Sequence, residues 1–117
     1  MRINYDLLRD IMIDVANANF VDGIPSTCLS YGNTPDDLIF FHVKILVENG
    51  YLSGLDSCTK TSNGYINLQM TLRGQALLDS IENKDIWSKV KSYLKTHALE
   101  FGFETIRTAL AVISKNL

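Results

Sequence analysis

A chain of 117 residues has room for one domain of ordinary size. Its 46% hydrophobic and 21% charged residues are the proportions of a globular protein and exclude a disordered chain. Eleven Lys and Arg against thirteen Asp and Glu give a formal net charge of −2, which excludes an overall basic binder and leaves nucleic-acid affinity to any local basic patch.

From Asn4 to about Ala18 apolar residues recur at helical spacing, with Leu8, Ile11, Met12 and Val15 on one side and Asp6, Arg9 and Asp10 opposite. Gly23 and Pro25 break this pattern, and 21–33 reads as a loop with a short extended piece. A second helix is expected from Pro35 to Asn49, with Thr34 as its cap, Pro35 in its first position and Asp36 and Asp37 at the positive end of its dipole. Gly50 supplies the left-handed stop.

Tyr51–Cys58 and Tyr65–Leu72 read as two strands joined through Thr61-Ser62-Asn63-Gly64, with Gly54 marking a bulge in the first. Alternation in the second places Ile66, Leu68, Met70 and Leu72 on one face and Tyr65, Asn67, Gln69 and Thr71 on the other. Thr71 then caps a helix to about Glu82. A further helix is expected over 84–97, and a last one carries Phe103, Ile106, Leu110, Ile113 and Leu117 within a narrow arc.

Helix, loop, helix, hairpin and three helices make an α+β, mainly α fold: a winged-helix-like unit over 1–82 followed by a helical extension over 83–117, together one domain. Val21–Asn33 lacks helical periodicity, so the first helix of a helix-turn-helix is missing. The opening residues have no apolar leader core, and no apolar stretch approaches the ~20 residues that span a bilayer, so a cytoplasmic protein with no membrane partner is expected.

Phe41-His42-Val43-Lys44-Ile45-Leu46-Val47-Glu48-Asn49-Gly50-Tyr51-Leu52 looks like the helix-to-strand passage of many bacterial winged-helix proteins. Met70-Thr71-Leu72-Arg73-Gly74-Gln75-Ala76-Leu77-Leu78-Asp79-Ser80-Ile81, then Ile86-Trp87-Ser88-Lys89-Val90-Lys91, resembles a family of short bacterial and phage proteins known as a domain of unknown function. Its pattern is close to L-T-x-x-G-H-x-F-L-D-x-I followed by V-W-x-K-x-K. Asp6-Leu7-Leu8-Arg9-Asp10-Ile11 fits its first helix. Gln75 stands where the family tends to carry His, and Phe41 where it tends to carry Tyr. The resemblance implies the fold and a phage or prophage origin, and brings no catalytic residues.

No Ser/His/Asp or Cys/His constellation, Gly-rich phosphate loop or H-E-x-x-H stretch is present, so no enzyme and no cofactor is expected. Cys28 and Cys58 belong to no C-x-x-C pair; two reduced thiols are expected, and with His42 and His97 they do not make a metal cluster. The second helix occupies the recognition position. Its core side gathers Ile39, His42, Val43, Leu46 and Val47, and its outward side Asp37, Phe41, Lys44 and Glu48. Base readout needs Arg, Lys, Asn, Gln or Ser there, and two acids would repel phosphates.

Asp37, Phe41, Lys44 and Glu48 are therefore candidates for binding a protein. Phe41 has two readings, a core ring under the wing or an exposed aromatic anchor. His42 reads as a satisfied core histidine and His97 as a helix-end residue suited to the dipole. Lys84, Lys91 and Lys95 form a stripe that is either a solvated face or, with Lys60, a landing strip for anions or nucleic acid. Trp87 reads as an anchor tying the last helices to the winged unit. The C-terminal helices are expected either to close the core or to form a homodimer seam, with Ile106, Leu110, Ile113 and Leu117 as the favoured seam. The expected function is a non-enzymatic, phage-type accessory module that inhibits or adapts a host protein. The alternative is a dimeric winged-helix regulator that binds DNA.

Overall fold

A computed structural model describes residues 3–18, 23–59, 64–98 and 102–115, with the backbone alone of Phe103, Ser114 and Lys115. The chain forms two compact units, Met1–Gln75 and Ala76–Leu117, divided within the helix over 72–81 rather than after it.

In the first unit α1 spans Tyr5–Ala16. The Asn4 side chain caps it, accepting from the Leu7 N–H at 3.2 Å. Leu8, Ile11 and Met12 are completely buried and Val15 nearly so, as their spacing predicts. Arg9, expected on the outward side, is buried as well.

The expected loop holds two short pieces of structure. Ile24 and Leu68 exchange both backbone hydrogen bonds, at 3.1 and 2.8 Å, as an isolated antiparallel bridge. Ser26–Cys28 then makes a single 3-10 turn where a helix-turn-helix protein would have a helix.

Helix α2 spans Asp36–Glu48, starting one residue later than the sequence suggests. Pro35 is itself the cap residue, extended at ψ 147, and Thr34 makes no capping bond; the Pro35 carbonyl receives both Leu38 and Ile39 N–H. The far end is a Schellman stop. Tyr51 N–H reaches the Leu46 carbonyl at 2.9 Å, Gly50 N–H reaches Val47 at 3.1 Å, and Gly50 takes φ +80.

Strands β1 (Leu52–Asp56) and β2 (Tyr65–Met70) pair antiparallel, both shorter than expected. The partners Ser53↔Gln69 and Leu55↔Ile66 leave Gly54 facing both Asn67 and Leu68. The extra residue therefore lies in β2 and not, as expected, in β1. Asn67 takes it up with φ 56. One inserted residue reverses the side-chain alternation, so Tyr65 joins Leu68 in the core while Ile66 is exposed at 42%. Leu72 leaves the strand, opens α3 and is exposed.

Residues 60–63 at the expected turn, Lys60 among them, lie outside the described residues. Counting the Ile24 bridge, the sheet runs Ile24, β2, β1 behind α1 and α2 in sequence, and the protein is a mainly helical α+β fold with a winged-helix-like arrangement.

Helix α3 spans Leu72–Ile81, and Thr71 caps it: its hydroxyl oxygen accepts the Gly74 N–H at 2.9 Å and donates to the Gly50 carbonyl at 2.6 Å. Thr71 thus fastens the start of α3 to the corner between α2 and β1. A side chain at position 74 would collide with the Tyr51 carbonyl oxygen, so the close approach requires glycine.

In the second unit α4 spans Lys84–Thr96, and the Asn83 side chain accepts from the N–H groups of Asp85 and Ile86. Helix α5 spans Phe103–Lys115 and packs with α4. Trp87, Val90, Leu94, Ile106 and Ala109 are buried.

Candidate functional site

The outward side of α2 lies within the first unit. Asp36, Asp37, Lys44 and Glu48 are exposed, and Phe41 is half-buried, between the two readings its position allows. Lys44 lies 3.9 Å from Glu48, one helical turn on. On β1 the Cys58 thiol and N–H hold the Asp56 carboxyl below its usual range, with a lesser contribution from Lys44. The Asp36 and Asp37 side chains make no hydrogen bond or ion pair among the described residues.

Beside these two acids a cleft of about 290 Å³ opens between the first turn of α2 and the 3-10 turn. Leu29 and Ile39, both nearly fully buried, and half-buried Phe40 form its apolar part; Ser26 and Thr27 form the opposite wall. Phe40 is held by stacking on Tyr65, with centroids 5.4 Å apart and planes at 23°. The Ser26 hydroxyl accepts the Tyr65 N–H at 2.9 Å and fixes the 3-10 turn to β2. Nothing in the periodicity of 21–33 marks this cleft. The available signal is Leu29, an aliphatic residue of this segment that is nearly fully buried.

His42 is completely buried, and both its ring nitrogens are engaged. Nδ1 lies 2.8 Å from the Leu38 carbonyl and Nε2 accepts the Asn4 N–H at 2.8 Å. The imidazole is therefore neutral, with its proton on Nδ1. Burial lowers its pKa, opposed by the Leu38 bond. The cap residue of α1 thus hangs on a side chain of α2.

A second tie, absent from the sequence reading, joins α1 to the loop: the Tyr31 hydroxyl donates to Asp14 at 2.6 Å. Desolvation and then this bond push the phenol well above its ordinary value. The Cys58 thiol, beside Asp56, is also pushed up, the opposite of an activated nucleophile. Cys28 and Cys58 are both free.

In the second unit Lys84 and Lys95 are exposed, while Lys91 is half-buried and already engaged. The expected stripe is therefore uneven, and Lys60 falls outside the described residues. His97 ends α4 with its ring 4.3 Å from that of Tyr93. Ile106 is fully buried within the chain on a helix already packed with α4, so it is unavailable to a dimer seam. Leu110 and Ile113 are half-buried, and Leu117 lies outside the described residues. No helix among the described residues is long and apolar enough to cross a membrane.

The structure is a mainly helical α+β fold of winged-helix-like arrangement, with two exposed acids in the first turn of α2. The chain belongs to the family described as "Hypothetical protein (DUF2513)", whose profile matches residues 2–100. It is similar, at 28% identity over 120 residues, to an uncharacterized protein of Haemophilus influenzae; the alignment covers all of this chain and 99% of the relative. No solved structure matches. Thr71 and Gly74, which carried the family resemblance, build the junction between α2 and α3; Leu77, Leu78, Ile81 and Trp87 of the same stretch are buried. The family pattern in this chain is thus a folding signature.

Proposed function

We propose that this protein is a non-enzymatic, cytoplasmic binding module that docks a protein partner through the outward side of α2, in the manner of an accessory factor that inhibits or adapts its target. The observation behind this reading is the charge of that side. Asp37 and Glu48 face outward with Lys44 as the single cation beside them, 3.9 Å from Glu48, and Asp36 is exposed at the start of the same helix. Such a face is repelled by phosphates and attracts a basic protein surface.

Half-buried Phe41 on the same side has the amphipathic setting of an aromatic contact residue. The histidine nearest the surface in question, His42, is sealed by two hydrogen bonds, and the Cys58 thiol is de-activated, which supports a binding role over catalysis.

The test is affinity capture from the lysate of the organism that carries the gene, with the intact protein as bait. Phe41→Ala and Glu48→Lys, each confirmed folded by its thermal transition, are expected to lose the captured protein, whereas Lys84→Ala and Lys95→Ala retain it. Undiminished capture by both α2 variants refutes the assignment.

A further inference from the structure

We propose that the cleft at the start of α2 receives an arginine side chain of the partner; the inference rests on α2 being a protein-docking face and names what that face recognises. Three properties of the cleft select this occupant. At about 290 Å³ it lies at the lower limit of small-molecule sites, roughly 300–1,000 Å³, and suits one long side chain better than a nucleotide or a cofactor.

Its depth is apolar, through Leu29, Ile39 and Phe40, so the occupant carries an aliphatic or planar stem that gains by leaving water. Its mouth carries two carboxylates, Asp36 and Asp37, with no cation bound to either among the described residues. The positive end of the α2 dipole, about +0.5 charge, offsets only a quarter of their two negative charges, so the mouth stays anionic and rejects phosphate.

Arginine fits this combination better than lysine. Its guanidinium keeps its charge in any setting, presents several N–H donors in one plane to neighbouring carboxylates, and is weakly enough hydrated to lie against Phe40. The ring of Phe40 is already positioned by Tyr65, and the opposite wall by the Ser26 bond to Tyr65, so the cleft is formed before anything enters it. A pre-formed receptor avoids the ordering cost that a flexible loop would add on binding.

The probe is N-acetyl-arginine amide, titrated into the full-length ¹⁵N-labelled protein and followed by amide chemical shifts. The uncharged citrulline amide and the lysine amide are the controls. Saturable shifts centred on Thr27, Leu29, Asp37 and Phe40 with the arginine probe, absent with citrulline and weaker with lysine, are expected. Asp36→Asn/Asp37→Asn is expected to weaken the arginine response severalfold, the consequence of removing two exposed charges opposite a guanidinium. No saturable shift, an equal response to citrulline or lysine, or an undiminished response in the double variant overturns the proposal; the citrulline comparison needs no variant to fold. An empty cleft together with capture that still depends on Phe41 and Glu48 sinks this inference alone. Capture indifferent to those residues sinks the wider reading, whatever the titration shows.

Discussion

Acidification should loosen this protein through one residue, and the size of the effect follows from the geometry. His42 is buried and neutral, donating from Nδ1 to Leu38 and accepting at Nε2 from the Asn4 N–H. A proton added at Nε2 would face the Asn4 N–H at 2.8 Å, so the bond is lost and two donors are opposed. The folded pKa is therefore lowered from its ordinary 6.5, and the neutral ring favours the fold.

The stabilisation is complete above the unfolded value and is lost as pH falls below it towards the folded one. One group contributes a slope of at most about 1.4 kcal/mol per pH unit, so about 1.4 kcal/mol is the ceiling for its loss by about pH 5.5. For a domain of this size that is roughly 5 °C in Tm. The assay is urea or thermal unfolding at about pH 7.5 and 5.5, comparing the protein with His42→Gln. The variant is expected to be weaker by about 1–3 kcal/mol at the higher pH, because the Asn4 N–H is left without its acceptor. The gap should narrow at the lower pH, since glutamine does not titrate. His97 is present in both and cancels. An unchanged gap between the two pH values would falsify this account of His42.

Gly74→Ala is expected to cost about 2 kcal/mol or more, because its methyl group meets the Tyr51 carbonyl and not a yielding side chain, and chemical unfolding measures it. Thr71→Ala should cost about 1–2 kcal/mol by uncapping α3 and freeing its start from Gly50, with slower amide exchange lost at Gly74 and Gln75. Asn67→Val should destabilise by about 1–3 kcal/mol while Asn67→Gly is tolerated, since the bulge needs a left-handed residue; equal effects from the two would contradict the bulge assignment.

The elements were legible where a single local rule governs them. Helical spacing placed Leu8, Ile11, Met12 and Val15 in the core, and Gly50 marked the end of α2 because the Schellman stop depends on a residue free to take positive φ. The errors came where pairing with a distant segment decides. The β2 alternation failed because Asn67 inserts a residue opposite Gly54, a consequence of register that no single strand reveals. The short extended piece expected in 21–33 is Ile24, but its partner and the 3-10 turn are not legible locally, because their bonds go to Leu68 and Tyr65, some forty positions away.

Helical spacing alone finds the outward residues Asp37, Lys44 and Glu48, and the structure adds the pairing of Lys44 with Glu48 at 3.9 Å. The cleft was not legible: Phe40 sits on the flank of α2, and its partners come from a loop without periodicity. Spacing reports which residues of α5 share a side and not which of them a neighbour covers: Ile106 is fully buried, whereas Leu110 and Ile113 are only half-buried.

Replacing Phe41 by a benzophenone amino acid and irradiating living cells that produce the protein is the most direct measurement of what touches α2. A covalent adduct with a polypeptide, lost on adding Glu48→Lys, is the predicted result. An adduct with nucleic acid, or transfer undisturbed by that charge reversal, would contradict the account.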